Sequence, residues 1–170
     1  MPASCKIMML GEIGVGKTSI VRRLVLGKFD ANYKATLGVD MYTYTLDSGD
    51  FADRPVELVI WDIDGDIGEN IFGHVYIQGA SGALVVGDAT RPSTHPSMVT
   101  VGQQFQEYLP GRPLMLVLNK MDLVPDPDAL DAALLERTGK APLETTSAKT
   151  GENVARAFHN LTKEVMRRGL

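Results

Sequence analysis

The chain has 170 residues, 44% hydrophobic and 22% charged, with a net charge of −4 at pH 7. Those proportions describe one ordinary folded domain long enough to bury a core, and they exclude disordered, collagen-like and disulfide-scaffold classes. The acidic balance gives no global attraction for nucleic acid, and the lone cysteine, Cys5, has no partner for an internal disulfide.

The N-terminus shows no secretory pattern, because the apolar run at 7–10 is far too short for a signal core or a membrane span. Pro2 stands where myristoylation needs glycine, and 166–170 contain no cysteine to prenylate. The expectation is a cytoplasmic, monomeric protein with no lipid anchor in this chain.

Apolar runs alternate with helical patterns along the chain. A buried strand is expected over 5–10, with Cys5 as a small apolar member, and a helix over 16–26. Residues 41–46 alternate, 47–50 form a turn signal and 56–61 form another strand, so this pair reads as a hairpin. Further strands are expected over 82–86, 114–118 and 143–145, with helices near 69–78, 97–109 and 128–137. A last amphipathic helix over 152–168 places Val154, Ala157, Phe158, Leu161 and Val165 on one face. This rhythm predicts an α/β fold: a doubly wound, mostly parallel, six-stranded sheet with one antiparallel hairpin and helices on both faces, as one domain over 1–170. Ligands in such folds sit at the carboxyl ends of the strands.

The stretch Gly11-Glu12-Ile13-Gly14-Val15-Gly16-Lys17-Thr18-Ser19 follows a predicted strand and opens a predicted helix. Gly11, Gly16, Lys17 and Thr18 satisfy the spacing of a phosphate-binding loop. Its glycines let backbone N–H groups turn toward phosphate oxygens, and the helix N-terminus adds a favourable dipole. Lys17 is placed to reach the β- and γ-phosphates, and Thr18 to offer a hydroxyl to Mg²⁺.

The base is named further on. Asn119-Lys120-Met121-Asp122 follows an apolar strand. Asp122 suits the ring N–H and exocyclic amine of guanine, Asn119 ties the base to the phosphate loop, and the Lys120 stem covers the base face. Thr146-Ser147-Ala148-Lys149 follows the next strand, where the Ala148 N–H is placed to meet the guanine oxygen and Lys149 to cover the ring. Any one motif is weak, since Asn and Asp are common in turns; in this order, each at a strand end, they reinforce one another.

With these motifs in place the chain resembles the Ras superfamily of small GTP-binding proteins over nearly its whole length, nearest in pattern to the Ras and Rab branches and their prokaryotic relatives. The resemblance implies a G domain that binds GTP or GDP with Mg²⁺ through Gly14, Val15, Gly16, Lys17, Thr18 and Ser19. It implies that Phe29 packs on the guanine, Tyr33 covers the phosphates and Ser147, Ala148 and Lys149 complete the base site. Thr36 would be the switch threonine on Mg²⁺, Asp62 would hold Mg²⁺ through water, and the Gly65 N–H would sense the γ-phosphate. Lys17, Thr36, Gly65 and Asp66 would then be the catalytic group, and Thr18, Thr36 and Asp62 the metal group. An effector, an exchange factor and a GTPase-activating protein are the partners implied.

Three departures surround the implied γ-phosphate. Ile13 replaces a small residue, Asp64 replaces Ala, and Asp66 replaces the Gln that orients the attacking water. Two negative charges about 6 Å apart cost roughly 3 kcal/mol at an effective dielectric near 20, so Asp64 and Asp66 penalise the GTP state if they face it and do nothing if they face solvent. Slow intrinsic hydrolysis is therefore expected. A GTP-binding interaction module without hydrolysis is the alternative, and an adenine-nucleotide kinase is a third reading that residues 119–122 oppose.

Other residues read more plainly. His74, His95 and His159 lack metal-ligand spacing, Arg22 and Arg23 read as a solvated helix face, and Arg167 and Arg168 suit the negative end of a helix. Trp61 reads as core. Tyr42 and Tyr44 lie in the hairpin that family members use for effectors, and the polar stretch 47–55 reads as a long loop.

Overall fold

A computed structural model describes residues 1–32, 34, 36–63, 65, 75–130, 134, 138, 139 and 141–170. Six strands, β1 (Ala3–Leu10), β2 (Val39–Leu46), β3 (Val56–Ile63), β4 (Gly82–Asp88), β5 (Leu114–Asn119) and β6 (Leu143–Thr145), form one sheet in the order β2-β3-β1-β4-β5-β6. Every pairing is parallel except the antiparallel β2–β3 hairpin, as the apolar rhythm predicts. The described α-helices are α1 (Lys17–Leu26), α2 (Thr94–Tyr108) and α3 (Val154–Arg167).

The pleat of β1 divides the core. Cys5, Ile7 and Met9 point to the face covered by α1 and α3, and Met8 and Leu10 to the face covered by α2. Strands buried on both faces are continuous apolar runs for this reason. On α3, Val154, Ala157, Phe158, Leu161 and Val165 are all buried, so the expected apolar stripe is the packed one. Cys5 is a buried free thiol in its strand.

The helix expected near 69–78 lies outside the described residues as far as 74, and its described remainder is a single 3₁₀ turn, Val75–Ile77. The helix expected over 128–137 likewise falls mostly outside them; its described portion is the 3₁₀ turn Pro127–Ala129 and a buried Leu134. The polar stretch after β2 is no plain loop. It contains the 3₁₀ turn Gly49–Phe51, whose Phe51 is buried edge-on against His159 at 4.9 Å, while Asp50 accepts from His159 Nε2 at 2.9 Å and pairs with Lys163 at 3.0 Å. The hairpin is thereby fastened to α3.

Candidate functional site at the carboxyl ends of the strands

β1 pairs with β3 on one side and β4 on the other, so the chain's direction of growth reverses there. The loop after β1 sits at that switch point, where open α/β sheets form their ligand crevice. Every backbone carbonyl from Gly11 to Val15 in this loop accepts a side-chain donor. Lys17 Nζ donates to Gly11 O (2.6 Å) and Glu12 O (2.8 Å), Arg91 to Ile13 O (3.0 Å), Lys120 to Gly14 O (2.7 Å) and Asn119 Nδ2 to Val15 O (3.1 Å). Lys17 reaches its two carbonyls from within the groove it lines, whereas Ile13 O, Gly14 O and Val15 O turn to donors outside that groove, which leaves the opposite N–H groups of those peptides turned toward it, the arrangement an anion needs. Gly16 caps α1 in the left-handed region at φ 102°, and a Cβ there would fall 2.3 Å from Asn119 Nδ2. Only glycine satisfies both conditions.

Beside the loop, three oxygens converge. Thr18 Oγ1 donates to Asp62 Oδ2 at 2.5 Å and lies 2.5 Å from Thr36 Oγ1. Thr18 has one proton and spends it on Asp62, so Thr36 supplies the other. Asp62 is 0% exposed, and its Oδ1 has no hydrogen-bond partner. Burial pushes its carboxyl up, against the Thr18 hydrogen bond and the Lys17 ammonium, which pull it down. A buried carboxylate with an orphaned oxygen next to two hydroxyls fits a hard divalent cation; Mg²⁺ in particular takes one or two carboxylates and leaves its other positions to water and phosphate. Gly65 lies directly against the loop, where an added Cβ would come within 2.3 Å of Ile13 N and 2.8 Å of the Glu12 carbonyl carbon. The Ile13 side chain is 44% exposed. It lines a groove of about 370 Å³ together with Lys17, Thr18, Ser19, Thr36 and Gly65.

A second cleft of about 310 Å³ adjoins the first through Gly14, Gly16 and Ser19, and Phe29, Asn119, Lys120, Asp122, Ala148 and Lys149 line it. The two clefts adjoin, and their sizes suit a small ligand. Asn119 Oδ1 accepts from Thr146 Oγ1 (3.0 Å) and from the Ala148 N–H (3.2 Å). The amide expected to meet the guanine oxygen is thus also a tie between loops. Ser147 Oγ donates to Asp122 Oδ1 at 2.7 Å, aiming that carboxylate. Val15 contributes backbone only, since its side chain is in the core.

Tyr33, Asp64, Asp66 and His74 lie outside the described residues. Among those described, no group of three or more His, Cys, Asp or Glu is arranged to hold a metal. His95 is buried with Nε2 2.8 Å from Asp88 O.

Some expectations change. Arg23 is not on a merely solvated face: its Nε donates to Ala148 O at 2.8 Å and its guanidinium also reaches Lys149 O, so α1 grips the base loop. Tyr42 and Tyr44 pack half-buried against the core, and Met41 is the exposed large residue of that strand. Trp61 is half-buried, with Lys6 Nζ 3.9 Å from its ring centroid. Asp88, at the end of β4, is the group that sequence patterning missed. It is 1% exposed and accepts from Lys120 (2.8 Å), Arg91 (3.2 Å) and Thr90. Burial raises its carboxyl, but the Lys120 and Thr90 hydrogen bonds outweigh that and hold it below the usual carboxylate value.

Residues 6–167 match the model of the Ras family. The chain is 34% identical over 170 residues to the Ras-related protein Rab-32 of Homo sapiens, covering 95% of this chain and 74% of that protein. It is 33% identical over 168 residues to the Ras-related protein RABA2a of Arabidopsis thaliana, covering 95% and 75%. To the Ras-related protein Rab-32B of Dictyostelium discoideum it is 32% identical over 173 residues, covering 95% of this chain but only 64% of that longer protein.

Proposed function

The chain belongs to the Ras family of small GTPases, and on that premise we propose that it is a guanine-nucleotide switch that binds GDP or GTP with Mg²⁺ and hydrolyses GTP slowly when alone. The observation that carries this reading is the loop whose carbonyls from Gly11 to Val15 are each held by a side-chain donor, continuous with a cleft lined by Asp122. The loop N–H groups and Lys17 would hold the phosphates. Phe29, Lys120 and Lys149 would enclose the base, which Asp122 reads by accepting from its ring N–H and amine.

Thr18, Thr36 and Asp62 would hold Mg²⁺, whose role when bound is to neutralise charge developing across the β- and γ-phosphates. In hydrolysis a water oxygen attacks the γ-phosphorus, the bond to the β–γ bridging oxygen breaks, and GDP and phosphate leave. Thr36 and Gly65 close on the γ-phosphate and relax after it departs, which gives partners two states to distinguish. Those partners would be an effector, an exchange factor and a GTPase-activating protein. The protein would act as a monomeric single G domain in the cytoplasm; among the described residues, no helix is long and apolar enough to cross a membrane.

The slow rate follows from Ile13 and from Asp66 in place of the water-orienting Gln. Ile13 presents a branched side chain at the mouth of the phosphate groove. Single-turnover conversion of bound GTP, followed by chromatography of the nucleotide, tests it. Slow conversion that rises with Ile13→Gly, and rises little with Asp66→Gln alone, supports the reading. Hydrolysis as fast as in an ordinary family member without a partner refutes it. The crowding at Ile13 also favours one alternative, a binding module without turnover, which GTP surviving unconverted would establish.

A further inference from the structure

Arg91 lies outside every motif, yet its guanidinium spans two structures at once. Nη2 donates to the Ile13 carbonyl of the phosphate loop and Nε to Asp88 Oδ2. The same Asp88 oxygen accepts from Lys120, whose ammonium also donates to the next carbonyl of the loop, Gly14 O. One buried carboxylate therefore anchors two cations that hold two successive carbonyls. The register explains how: Asp88 is the partner of Asn119 across β4 and β5, so the residue after Asn119 emerges beside it.

This matters because Gly14 has φ 77°. With glycine on one side, the Ile13–Gly14 peptide can rotate as a unit at little cost. In a planar trans peptide the carbonyl and the following N–H point in opposite directions, so a donor fixing Ile13 O outward fixes the Gly14 N–H inward. We propose that Arg91 is a positioning residue for the phosphate loop, holding the Ile13–Gly14 peptide with its N–H toward the nucleotide phosphates, with Asp88 as the anchor it shares with Lys120. Arginine suits this because its planar fork satisfies a carboxylate and a carbonyl together, whereas a lysine ammonium at the end of its flexible stem is a point donor. The inference rests on the guanine-nucleotide reading above.

The test measures release of fluorescently labelled GDP in Mg²⁺ from the full chain and its Arg91→Ala, Arg91→Lys and Asp88→Asn variants, with amide NMR of the GDP complexes. Arg91 is 43% exposed, so its truncation leaves the core packed. Expected are about 10- to 100-fold faster release for Arg91→Ala, the range of a charge-assisted hydrogen bond, an intermediate effect for Arg91→Lys and the largest for Asp88→Asn. The Gly14 amide proton should move upfield in Arg91→Ala while that of Lys17 stays, and the preference for GDP over IDP, which reports Asp122, should be unchanged. Release within twofold of wild type, or faster release with an unmoved Gly14 amide, overturns the inference alone. A wild-type chain that does not retain GDP overturns the functional reading, and this inference with it.

Discussion

Replacing Asn119 with alanine should destabilise the nucleotide-free protein more than any surface change. Asn119 is 1% exposed and joins the loops after β1, β5 and β6 through Val15 O, Thr146 Oγ1 and the Ala148 N–H. Truncation strands two donors on residues that are 1% and 2% exposed, Thr146 and Ala148. A buried donor left unpaired costs about 1–3 kcal/mol, and the lost bond to Val15 about 1 kcal/mol more. The sum is roughly 3–7 kcal/mol, with the lower half favoured because Asn119 borders an open cleft that water can enter. For a chain of this length each kcal/mol moves the melting midpoint by about 2–4 °C, so a loss of roughly 6–20 °C is expected by calorimetry. The sharper test is a cycle with Thr146→Val. In the wild-type background that change breaks one bond and should cost about 1 kcal/mol. In the Asn119→Ala background it removes the stranded hydroxyl and should be neutral or stabilising. An equal cost in both backgrounds, or an Asn119→Ala melt within 2 °C of wild type (about 1 kcal/mol or less), would refute the reasoning.

Gly65→Ala drives a Cβ into loop backbone that cannot swing aside. On the proposed switch the cost falls on the closed state, so the ratio of GTP to GDP affinity should drop about 10-fold by titration calorimetry, and an unchanged ratio would mean that closure does not use this contact. Arg23→Ala frees the Ala148 and Lys149 carbonyls from α1, and GDP release should quicken by roughly 10-fold in a displacement assay. Glu164, paired with Arg167 and Arg168, has its carboxyl pulled down to about 2 from 4.5. A carboxyl depressed on folding stabilises above its unfolded value and loses that contribution as pH falls toward 2, so NMR titration should find the Glu164 midpoint near 2. Molar salt should raise that midpoint, because the pairs are exposed and screened; a midpoint near the ordinary value in low salt would show that the pairs do not persist in solution.

The strands were legible because their centres are buried on both faces, and their ends were not, for a reason tied to function. Patterning stops β3 at Trp61, β4 at Val86 and β5 at Leu118, where the apolar runs cease. The ladders continue to Ile63, Asp88 and Asn119. Each extension carries a buried polar residue, Asp62, Asp88 or Asn119. A polarity scan counts such a residue as the start of a loop, yet its backbone is still paired with the neighbouring strand and its side chain bonds a residue of the site, Thr18 for Asp62, Lys120 for Asp88 and Val15 for Asn119. The start of α2 was hidden similarly. Pro96 suggests a boundary, but it falls in the first turn, where its missing N–H costs little, and Thr94 closes the turn by donating to Arg91 O and accepting from the Asp88 N–H.

The phosphate loop and the base motifs were legible because the proposed function rests on their residue types themselves. The residues that hold them in place were not. Arg23 and Arg91 act on backbone carbonyls, Ala148 O and Lys149 O for one and Ile13 O for the other, and every residue has a carbonyl. A cation that will cap a carbonyl looks, in sequence, like a cation facing water; only the loop's path decides between them. The two arginines nevertheless perform one task from opposite sides of the site. A loop that must bind an anion through its N–H groups has to keep its carbonyls turned away, and carbonyls turned from the ligand need donors of their own to avoid desolvation without compensation. An anion site built from backbone therefore demands an outer ring of cations and amides. In this chain Arg91, Lys120 and Asn119 are that ring around the phosphate loop, and Arg23 extends it to the base loop.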